Sequence, residues 1–557
     1  MKRIFLTLTL GFFATLSFGQ QPTVGLTHYD SSSFDAYSLF SPFSSTETYL
    51  INNCGHIVNT WQSDYRPGAI AYLKPNGNLL RTAHVDNPTF DIAGGNGGRL
   101  EEYDWNGDLV WYMDLTTDSF SQHHDIELLP NGNILVLVWK FVSRAEALDA
   151  GKNPNIMLED TWEEVIWEIK PSSGSGGTIV WSWSSMNHIV QDYNSNVKNY
   201  GKVSEHPELL DFNSAFISNE RDWLHFNSID YNADLDQIII SCHAFSELYI
   251  IDHSTTDTES QGHIGGEQDM GGDIIYRYGN PSAYKRGAAI DQVSFKQHDA
   301  QWIPKGYTNA GKIIFFNNGG AREYSSIDMI SPTTNVDGSY KIDGTGPFGP
   351  NTPDWSYTAP NKKDFFSVNM SGVQPLPNGN MLITESTKGH LFEIDNNENI
   401  VWSYVNPINA NGIAKQGAVI KGNALFRGYK YGANTAAFKN KTLLEGGRIE
   451  QDPWPIFCDD TTTTNNDTVG NSAIASVGFG QFVVYPNPAK NTLHIRSNQE
   501  VETVSLYGVS GALLASKNTP GLSEDITLDL TLVAPGIYSV VVETSDGATA
   551  VNKFVKY

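Results

Sequence analysis

The chain has 557 residues, of which 40% are hydrophobic and 12% aromatic, and its formal net charge is −26 at pH 7. This charge argues against nucleic acid or an anionic membrane as a partner, because like charges repel one another at long range. The length exceeds what one ordinary hydrophobic core supports, so we expect two or more domains. The aromatic residues, together with 50 glycines and 25 prolines, favour an all-β globular protein with many turns.

The N-terminal segment has the pattern of a signal peptide. Two basic residues precede an apolar run from Ile4 to Phe18, and small residues follow before position 20. We therefore assign residues 1–20 to a signal peptide that is removed on export. No later stretch approaches the roughly 20 apolar residues of a membrane-spanning helix, so no membrane span is predicted.

Residues 21–458 contain a repeated pattern of short strands. Three turn phrases carry Pro-Asn-Gly-Asn before an apolar strand: YLKPNGNLLRT (72–82), LLPNGNILVL (128–137) and PLPNGNMLIT (375–384). Three later phrases end in a strand with Val-Trp: LEEYDWNGDLVWYM (100–113), IWEIKPSSGSGGTIVWSW (166–183) and LFEIDNNENIVWSY (391–404). One such unit cannot bury its apolar face alone, so the repeats are expected to pack side by side. Radial closure protects the strand edges and predicts a β-propeller, with six blades expected at roughly 40 to 70 residues each.

The three cysteines are Cys54, Cys242 and Cys458. They form no CxxC motif and no Cys/His cluster, so we expect neither a structural zinc site nor a redox site. Cys54 and Cys458 lie near the two ends of the main domain, and export permits oxidation, so we expect them to pair. The sequence alone does not supply this connectivity.

Two glycine-rich motifs argue against nucleotide binding. Residues Gly306 to Lys312 fit GxxxxGK, but Ile313 stands where a Ser or Thr would hold Mg²⁺, and the apolar run that follows predicts a strand. We expect a hairpin turn there. The second motif, Ala93 to Gly98, follows no buried strand of a βαβ unit, so it is a poor dinucleotide site.

Histidines recur in strand-like segments of the main domain. The segment MLITESTKGHLFEID (381–395) predicts two strands around a turn, with His390 on the same face as Phe392 and Ile394. The other histidines in such settings are His123, His124, His225, His243, His253 and His298. Taken singly, each is more often a hydrogen-bonded structural residue than a functional one.

Several segments resemble the bacterial aryl-sulfate sulfotransferases. They are DWLHFNSIDYN around His225, SELYIIDHST, QHDAQWI around His298, FFNNGGAR ending at Arg322, and LPNGNMLITESTKGHLFEIDNNENIVWSYVNP around His390. The resemblance spans residues 79–407. It implies a six-bladed propeller in which a pocket of histidines and one arginine transfers a sulfuryl group between two phenols. It also implies no 3′-phosphoadenosine donor, and we expect no cofactor.

Residue by residue, the resemblance places His225, His298 and Arg322 in the catalytic site and His390 at the position of the covalent sulfohistidine. We also expect His124 and Asn227 to bind substrate.

Sulfuryl transfer requires cationic and histidine side chains of this kind. The transition state spreads negative charge over three oxygens, for which Arg322 offers a permanent charge and a planar set of donors. Burial beside Phe392 would lower the pKa of His390 and keep its lone pair free for nucleophilic attack. His298 and His225 are the candidates for proton transfer, and we expect ping-pong kinetics.

Two other functions remain open. A non-catalytic secreted β-propeller that binds a small ligand or a surface glycan would keep the same scaffold. A metal-dependent propeller enzyme would use the same histidines as ligands. Carboxylates at ligand spacing are not evident in the sequence, and Arg322 would repel a cation, so we expect no metal.

The C-terminal part of the chain predicts a linker and a second domain. Residues 459–479 are rich in Thr, Asn and Ser, which is typical of a linker, and residues 480–557 predict a small β-sandwich. The tail resembles the C-terminal sorting domain of type IX secretion cargo in Bacteroidetes. The matching features are Tyr485-Pro486-Asn487-Pro488, LYGVSGALL, APGIYSVVV, and the closing Lys553, Lys556 and Tyr557. This resemblance implies the type IX secretion machinery as a partner and a secreted or cell-surface location.

Overall fold

The computed structural model describes residues 22–157, 159–216, 221–453, 458, 482–485, 489–497, 500–508, 513–522, 526–544 and 549–556. It divides into a first unit up to Asp459 and a second unit from Asp460. The predicted signal peptide and the predicted linker lie outside the described residues. The predicted all-β class is confirmed, since the described elements are antiparallel strands apart from the short helix α1 (Arg144–Asp149), brief 3₁₀ turns and one two-residue parallel pair.

The first unit consists mainly of six antiparallel sheets. Strand β1 (Gly25–Tyr29) joins the fifth sheet, and β2 (Ala36–Pro42), β3 (Glu47–Asn52) and β4 (Ile57–Gln62) belong to the sixth. The first sheet is β5 (Pro67–Leu73), β6 (Leu79–His84), β7 (Gly98–Tyr103) and β8 (Leu109–Asp114). The second is β9 (Phe120–Leu128), β10 (Ile134–Val142), β11 (Thr161–Pro171) and β12 (Gly177–Ser184). An insertion with the short parallel pair β13 (Ile189–Val190) and β14 (Leu210–Asp211) follows.

The remaining sheets continue in chain order. The third is β15 (Phe226–Asn232), β16 (Gln237–Cys242), β17 (Glu247–Asp252) and β18 (Ile274–Tyr278). The fourth is β19 (His298–Trp302), β20 (Ile313–Asn317), β21 (Ser326–Ile330) and β22 (Trp355–Tyr357). The fifth is β23 (Gly372–Pro375), β24 (Met381–Glu385), β25 (His390–Ile394) and β26 (Ile400–Val405). A small hairpin, β27 (Ile408–Asn409) and β28 (Gly412–Ile413), precedes β29 (Leu425–Gly432), which completes the sixth sheet with β2 to β4.

The six sheets form a closed ring around their innermost strands. Strands β5, β9, β15, β19, β23 and β29 each form the inner edge of one sheet, each contacts the next in this order, and β29 contacts β5. The sixth sheet closes the ring, because it pairs β29 from the end of the unit with β2 from its beginning. The predicted disulfide between Cys54 and Cys458 is present and ties the same two ends together. The first unit is therefore a β-propeller.

The repeated sequence phrases have defined places in this ring. Each Pro-Asn-Gly-Asn phrase turns from the innermost strand to the second strand, and its glycine has positive φ: 85° at Gly77, 87° at Gly132 and 93° at Gly379. Such a φ is accessible to glycine at little cost. The Val-Trp phrases form the fourth strand of their sheets counted from the ring centre, and their indoles donate across to the next sheet of the ring. Trp111 donates to the carbonyl of Gly176 and Trp402 to that of Asn53.

A buried arginine lies where the innermost strands meet. Nη1 of Arg427, on β29, is 2.7 Å from the carboxylate of Asp125 on β9 and 3.0 Å from that of Asp299 on β19. Nη2 donates to the backbone carbonyl of Asn227 on β15. All three charged side chains are at most 6% exposed. Two carboxylates and one backbone carbonyl around one guanidinium therefore link three sheets to the closing strand.

The two other innermost strands join this network. The hydroxyl of Tyr72, on β5, donates to Asp125, and the amide of Val373, on β23, donates to Asp299. Burial raises the pKa of Asp299 to about 6 although Arg427 opposes this shift. The network thus contains one polar contact from every innermost strand of the ring.

The second unit is built from two antiparallel sheets. One contains β30 (Phe482–Tyr485), β31 (Thr492–Ser497) and β34 (Ile526–Asp529); the other contains β32 (Val501–Gly508), β33 (Leu513–Leu522), β35 (Gly536–Thr544) and β36 (Thr549–Lys556). Apolar side chains of both sheets share one core, which includes Leu493, Ile495, Val504 and Val540. Pro486, Asn487, Pro488 and Tyr557 of the predicted sorting motif lie outside the described residues. None of the helices that the structure describes is long and apolar enough to cross a membrane.

The arginine network predicts a large effect of one substitution. Arg427→Met leaves two carboxylates buried without their cation, and we expect a loss of about 3–5 kcal/mol in the free energy of unfolding. Urea denaturation followed by tryptophan fluorescence measures this loss. The exposed Arg66 offers a matched control, since Arg66→Met should change stability by less than about 0.5 kcal/mol. Adding Asp125→Asn and Asp299→Asn to Arg427→Met should recover part of the loss, and equal effects of the two single arginine variants would contradict the role of the network.

Candidate active site

Irregular pairing positions histidines at the innermost strands of three neighbouring sheets. The register between β9 and β10 shifts opposite His124, whose φ is 48°. The register between β15 and β16 shifts directly after His225, whose φ is 53°. A third shift follows His298, the first residue of β19. Positive φ is uncommon for residues other than glycine, and bulges of this kind redirect side chains next to functional sites.

Four histidines from these strands and one adjacent loop form a continuous group, which we call the histidine cluster: His124, His225, His243 and His298. Ring centroids are 4.6 Å apart between His124 and His225, 5.0 Å between His225 and His243, and 5.4 Å between His243 and His298. His243 directly follows β16, and its amide donates to the carbonyl of His225. The cluster therefore gathers one histidine from the second sheet, two from the third and one from the fourth.

His298 is held as a neutral ring of defined tautomer. Its Nδ1 lies 2.8 Å from Oδ1 of Asn318, while both amide protons of Asn318 are used by the backbone carbonyls of Ser367 and Met370. Oδ1 can only accept, so Nδ1 carries the proton and Nε2 carries the lone pair. The amide of Met370 donates to that Nε2 at 3.1 Å. Burial lowers the pKa of His298 to about 3.

The surroundings of His225 favour the charged form of its ring, in contrast to those of His298. Its Nδ1 is hydrogen-bonded to the carboxylate of Asp222, and its side chain is 22% exposed. Burial alone would lower the pKa of His225, but the negative charge of Asp222 outweighs it and raises the pKa above the ordinary value. Within the described residues its Nε2 has no hydrogen-bond partner. His225 is therefore the member of the cluster most easily held as an imidazolium.

A buried relay of hydrogen bonds connects His124 through His123 to Glu164. Nδ1 of His124 is 2.9 Å from Nδ1 of His123, and Nε2 of His123 is 2.8 Å from the carboxylate of Glu164. His123 also stacks on the indole of Trp139 at 4.1 Å. Burial lowers the pKa of His123 to about 3 and places the pKa of His124 well below its ordinary value. The relay orients His124 and leaves its Nε2 directed away from His123.

The glycine-rich segment Ala93 to Gly98 covers His124. A Cβ at Gly95 would lie 2.1 Å from the imidazole of His124, so only glycine allows this approach. The amide of His124 in turn donates to the carbonyl of Gly95. The second glycine-rich motif, Gly306 to Lys312, lies in the turn between β19 and β20, as the sequence predicts.

His243 adds an imidazole to the cluster, and Lys296 adds positive potential beside it. Neither ring nitrogen of His243 forms a hydrogen bond within the described part of the chain. Burial lowers the pKa of His243 well below its ordinary value, and the neighbouring His225 and His298 act in the same direction. Nζ of Lys296 donates to the carbonyl of Ala244, beside His243. An anion at this place would meet imidazole donors and an ammonium group.

The structure does not bring His390 into the cluster. His390 lies on β25, the third strand of the fifth sheet, with its ring stacked on Phe392 at 4.9 Å. Its Nε2 is 2.8 Å from Oγ of Ser403 and its Nδ1 is 3.4 Å from the carboxylate of Glu385. Among the described residues it makes no hydrogen bond, ion pair or ring contact with a cluster member. Its face of the strand contacts the apolar layer between the fourth and fifth sheets.

Arg322 is also separate from the cluster. It ends a 3₁₀ turn after β20, and its guanidinium lies over the rings of Phe295 and Tyr324, 5.0 and 4.7 Å from their centroids. Nη2 donates to Oγ of Ser326. No contact with the cluster is present in the described residues. The arginine that acts on His298 is instead the buried Arg427, whose charge contributes to the lowered pKa of His298.

The two predicted substrate-binding residues, His124 and Asn227, differ in their relation to the cluster. His124 lies in the cluster, whereas Asn227 is fully buried beside it and donates from Nδ2 to the carbonyl of Gln297. Sequence reasoning assigned no role to His243, Asp222 or Arg427. For Asp222 a signal was available, since it stands three residues before His225 in the segment DWLHFNS.

Comparison with known proteins agrees with both resemblances seen in the sequence. The family model described as Arylsulfotransferase (ASST) matches residues 73–411, which is more than half of the chain. The model described as Secretion system C-terminal sorting domain matches residues 483–557. The tail is therefore a sorting domain for the secretion machinery, and the protein is exported to the cell surface or secreted.

Three solved structures are similar to this chain at low identity. A protein of unknown function from Bacteroides caccae is 12% identical, with 71% of this chain and 98% of that chain covered and a TM-score of 0.39. A catalytically inactive variant of virginiamycin B lyase from Staphylococcus aureus is 9% identical, with 69% and 89% covered and a TM-score of 0.31. The Cps50 (Swd1) β-propeller domain of Myceliophteria thermophila is 8% identical, with 74% and 97% covered and a TM-score of 0.34. No curated protein is significantly similar to the chain.

The buried state of His298 predicts a specific pH dependence of stability. Its folded pKa of about 3 lies below the unfolded value of 6.5, so the unfolded chain binds the proton first and stability falls as pH falls from 6.5 towards 3. Relative to His298→Asn, the unaltered protein should lose about 1.6 kcal/mol of unfolding free energy between pH 6.5 and pH 5. Urea denaturation of both proteins at several pH values measures the difference. Parallel pH profiles of the two proteins would contradict a neutral, buried His298.

Proposed function

The chain belongs to the arylsulfotransferase family, and we propose that it transfers a sulfuryl group from an aryl sulfate ester to a phenolic acceptor through a sulfohistidine intermediate. The observation that supports this proposal is the convergence of four imidazoles from three sheets of the ring. Sulfuryl transfer requires a nucleophile, a proton donor and cationic or hydrogen-bonding groups around three oxygens. The cluster supplies each of these from a different member.

His298 is the proposed nucleophile. A nucleophilic imidazole has to be neutral and its lone pair has to be aimed, and the bond to Asn318 together with the lowered pKa meets both conditions. In the first half-reaction the Nε2 lone pair attacks sulfur, an N–S bond forms, and the bond from sulfur to the aryl oxygen breaks. In the structure the amide of Met370 donates to this Nε2, so the aryl sulfate has to displace that hydrogen bond when it binds.

His225 is the proposed proton donor and acceptor. With its pKa raised by Asp222, its imidazolium can protonate the departing phenolate. In the second half-reaction the neutral ring takes the proton of the acceptor phenol, whose oxygen attacks sulfur while the N–S bond breaks. The histidines then return to their first protonation states, so the cycle balances without a cofactor.

His124 and His243 are the proposed hydrogen-bond donors to the sulfate oxygens. Each has a ring nitrogen without a hydrogen-bond partner among the described residues, and His243 lies within ring contact of both His225 and His298. Lys296 adds a positive charge on the same side. Arg322, which the sequence suggests for this role, contacts aromatic rings elsewhere.

This proposal differs from the sequence-based assignment of the nucleophile to His390, and one experiment separates the two. With 4-nitrophenyl sulfate and a phenol, His298→Asn should lower turnover by about 10³-fold or more, because no nitrogen remains to carry the sulfuryl group. His390→Asn is the matched variant and should keep turnover within about threefold of the unaltered enzyme, because among the described residues His390 contacts no member of the histidine cluster. Nitrophenolate absorbance gives the rates.

Intact mass after exposure to the donor alone supplies a second readout. One added SO₃ should appear in the unaltered protein and in His390→Asn but not in His298→Asn. If the adduct is lost in His390→Asn instead, the nucleophile is His390. Folded protein that shows neither adduct nor turnover with any phenol would favour a binding propeller over an enzyme.

The role of His225 leads to a separate prediction about leaving groups. Asp222→Asn removes the charge that raises the pKa of His225, so less imidazolium is available at neutral pH. Phenyl sulfate, whose leaving group needs protonation, should lose roughly 10²-fold in rate, whereas 4-nitrophenyl sulfate should lose much less. Comparing initial rates of both donors with the same acceptor measures this ratio. Equal losses for the two donors would contradict proton transfer by His225.

A further inference from the structure

A second group of histidines lies outside the ring of innermost strands. His188 belongs to the insertion after β12, and His263 and Asp273 belong to the long segment between β17 and β18. Nδ1 of His188 is 2.7 Å from Oδ1 of Asp273, and Nδ1 of His263 is 2.8 Å from the same oxygen. The donor atoms of the three residues lie within 4.8 Å of one another. Two imidazole nitrogens and one carboxylate therefore converge on one point.

The tautomer of His188 bears on what lies between these converging atoms. Its Nε2 lies 2.9 Å from the backbone carbonyl of Ser260, which can only accept a hydrogen bond, so Nε2 carries the proton. In the neutral ring, Nδ1 then presents a lone pair to the carboxylate of Asp273. Two lone pairs at 2.7 Å repel one another, so either a proton on Nδ1 or a metal ion has to lie between them. His188 is fully buried and Asp273 is 5% exposed, so water does not relieve this repulsion.

The surroundings of His188 resemble those of a metal-bound histidine. A ligating histidine usually donates its second N–H to a carbonyl or carboxylate, which sets the tautomer and the ring plane. Ser260 provides this carbonyl, and Trp183 stacks parallel to the ring at 5.3 Å. A Cβ at Gly272 would lie 2.1 Å from the carbonyl oxygen of Ser260 and 2.8 Å from Nε2 of His188, so a side chain there would disrupt the arrangement.

We propose that His188, His263 and Asp273 bind one divalent transition-metal ion. Two imidazoles with one carboxylate suit Zn²⁺ and the neighbouring first-row ions, and they are too poor in oxygen for Ca²⁺ or Mg²⁺. Tetrahedral Zn²⁺ with bonds of about 2.0–2.2 Å requires donor atoms about 3.3 Å apart, so the distances of 2.7 Å from His188 to Asp273 and 2.8 Å from His263 to Asp273 both have to lengthen by about half an ångström. The His263 side chain is 58% exposed, which permits its movement and leaves a fourth position open to water, whereas the buried pair has to open through rotation of the Asp273 carboxylate.

The ion would act on structure and not on the transfer reaction. In the described residues none of the three ligands contacts the histidine cluster. Segment 253–273 exceeds the roughly 12–15 residues usual for a loop and contains one short 3₁₀ turn, Glu259–Gln261. A metal ion would tie this segment to the insertion that leads to Asp222 and His225. The sequence analysis predicts no metal, and no local motif indicates this group, because His188 and Asp273 are 85 residues apart in the chain.

The test uses the untagged full-length protein after dialysis against a chelator. Titration with Zn²⁺ alone, followed by calorimetry and elemental analysis, should give one ion per chain, and Zn²⁺ should raise the thermal midpoint. Replacing Zn²⁺ by Co²⁺ should give the visible absorption of a tetrahedral site. His263→Gln, chosen because His263 is exposed and its loss should not prevent folding, should weaken Zn²⁺ binding by at least about 10-fold.

His84 supplies the matched control, since it forms a comparable group with Asp86 and Asp91 at the surface. His84→Gln should leave affinity, stoichiometry and the thermal shift unchanged. Absence of Zn²⁺ binding to the folded protein would mean that a proton on His188 neutralises Asp273, and the proposal would be overturned. The same holds if His263→Gln binds Zn²⁺ as tightly as the unaltered protein, or if His84→Gln abolishes binding.

Discussion

The guanidinium of Arg427 is the interaction on which the ring depends. Six sheets that meet at their innermost strands bring backbone and side-chain polar groups into a region without bulk water, where each unpaired group costs free energy. Arg427 comes from the strand that closes the ring, and it pairs with carboxylates from two other sheets. The strand that closes the ring therefore also supplies the positive charge that pairs with these carboxylates.

The histidine cluster extends from this polar centre and shows how burial assigns chemical roles. Desolvation lowers the pKa of His298, His124 and His243, so these rings stay neutral at physiological pH. Only His225 has a carboxylate, Asp222, close enough to overcome the same desolvation. A group of identical side chains is thus divided into one ring that favours the charged form and three that favour the neutral form, which suits nucleophilic and acid-base chemistry in one site.

Part of the site could be predicted from the sequence, and there is a physical reason why the rest could not. His225 and His298 stand in extended family motifs, and the structure brings both into the cluster at neighbouring innermost strands. His390 and Arg322 were assigned by shorter matches, and strand alternation identifies only the face of a strand, not the position of the strand in its sheet. His390 lies on the third strand of its sheet and Arg322 on a turn between the second and third strands of its sheet, and neither contacts the cluster in the described residues. His243 joins the cluster through the pairing of β15 with β16.

The sequence by itself determined the features that depend on neighbours along the chain. Asn-Gly turns, alternating strands, the Val-Trp positions, the sorting tail and the family all follow from local residue order, because backbone conformation and strand periodicity are local properties. The tertiary structure alone decided which nitrogens carry protons and which histidines meet. These depend on partners far apart in the chain, such as Asn318 for His298 and Ser260 for His188. Burial, which shifts a pKa, exists only when distant segments have packed together.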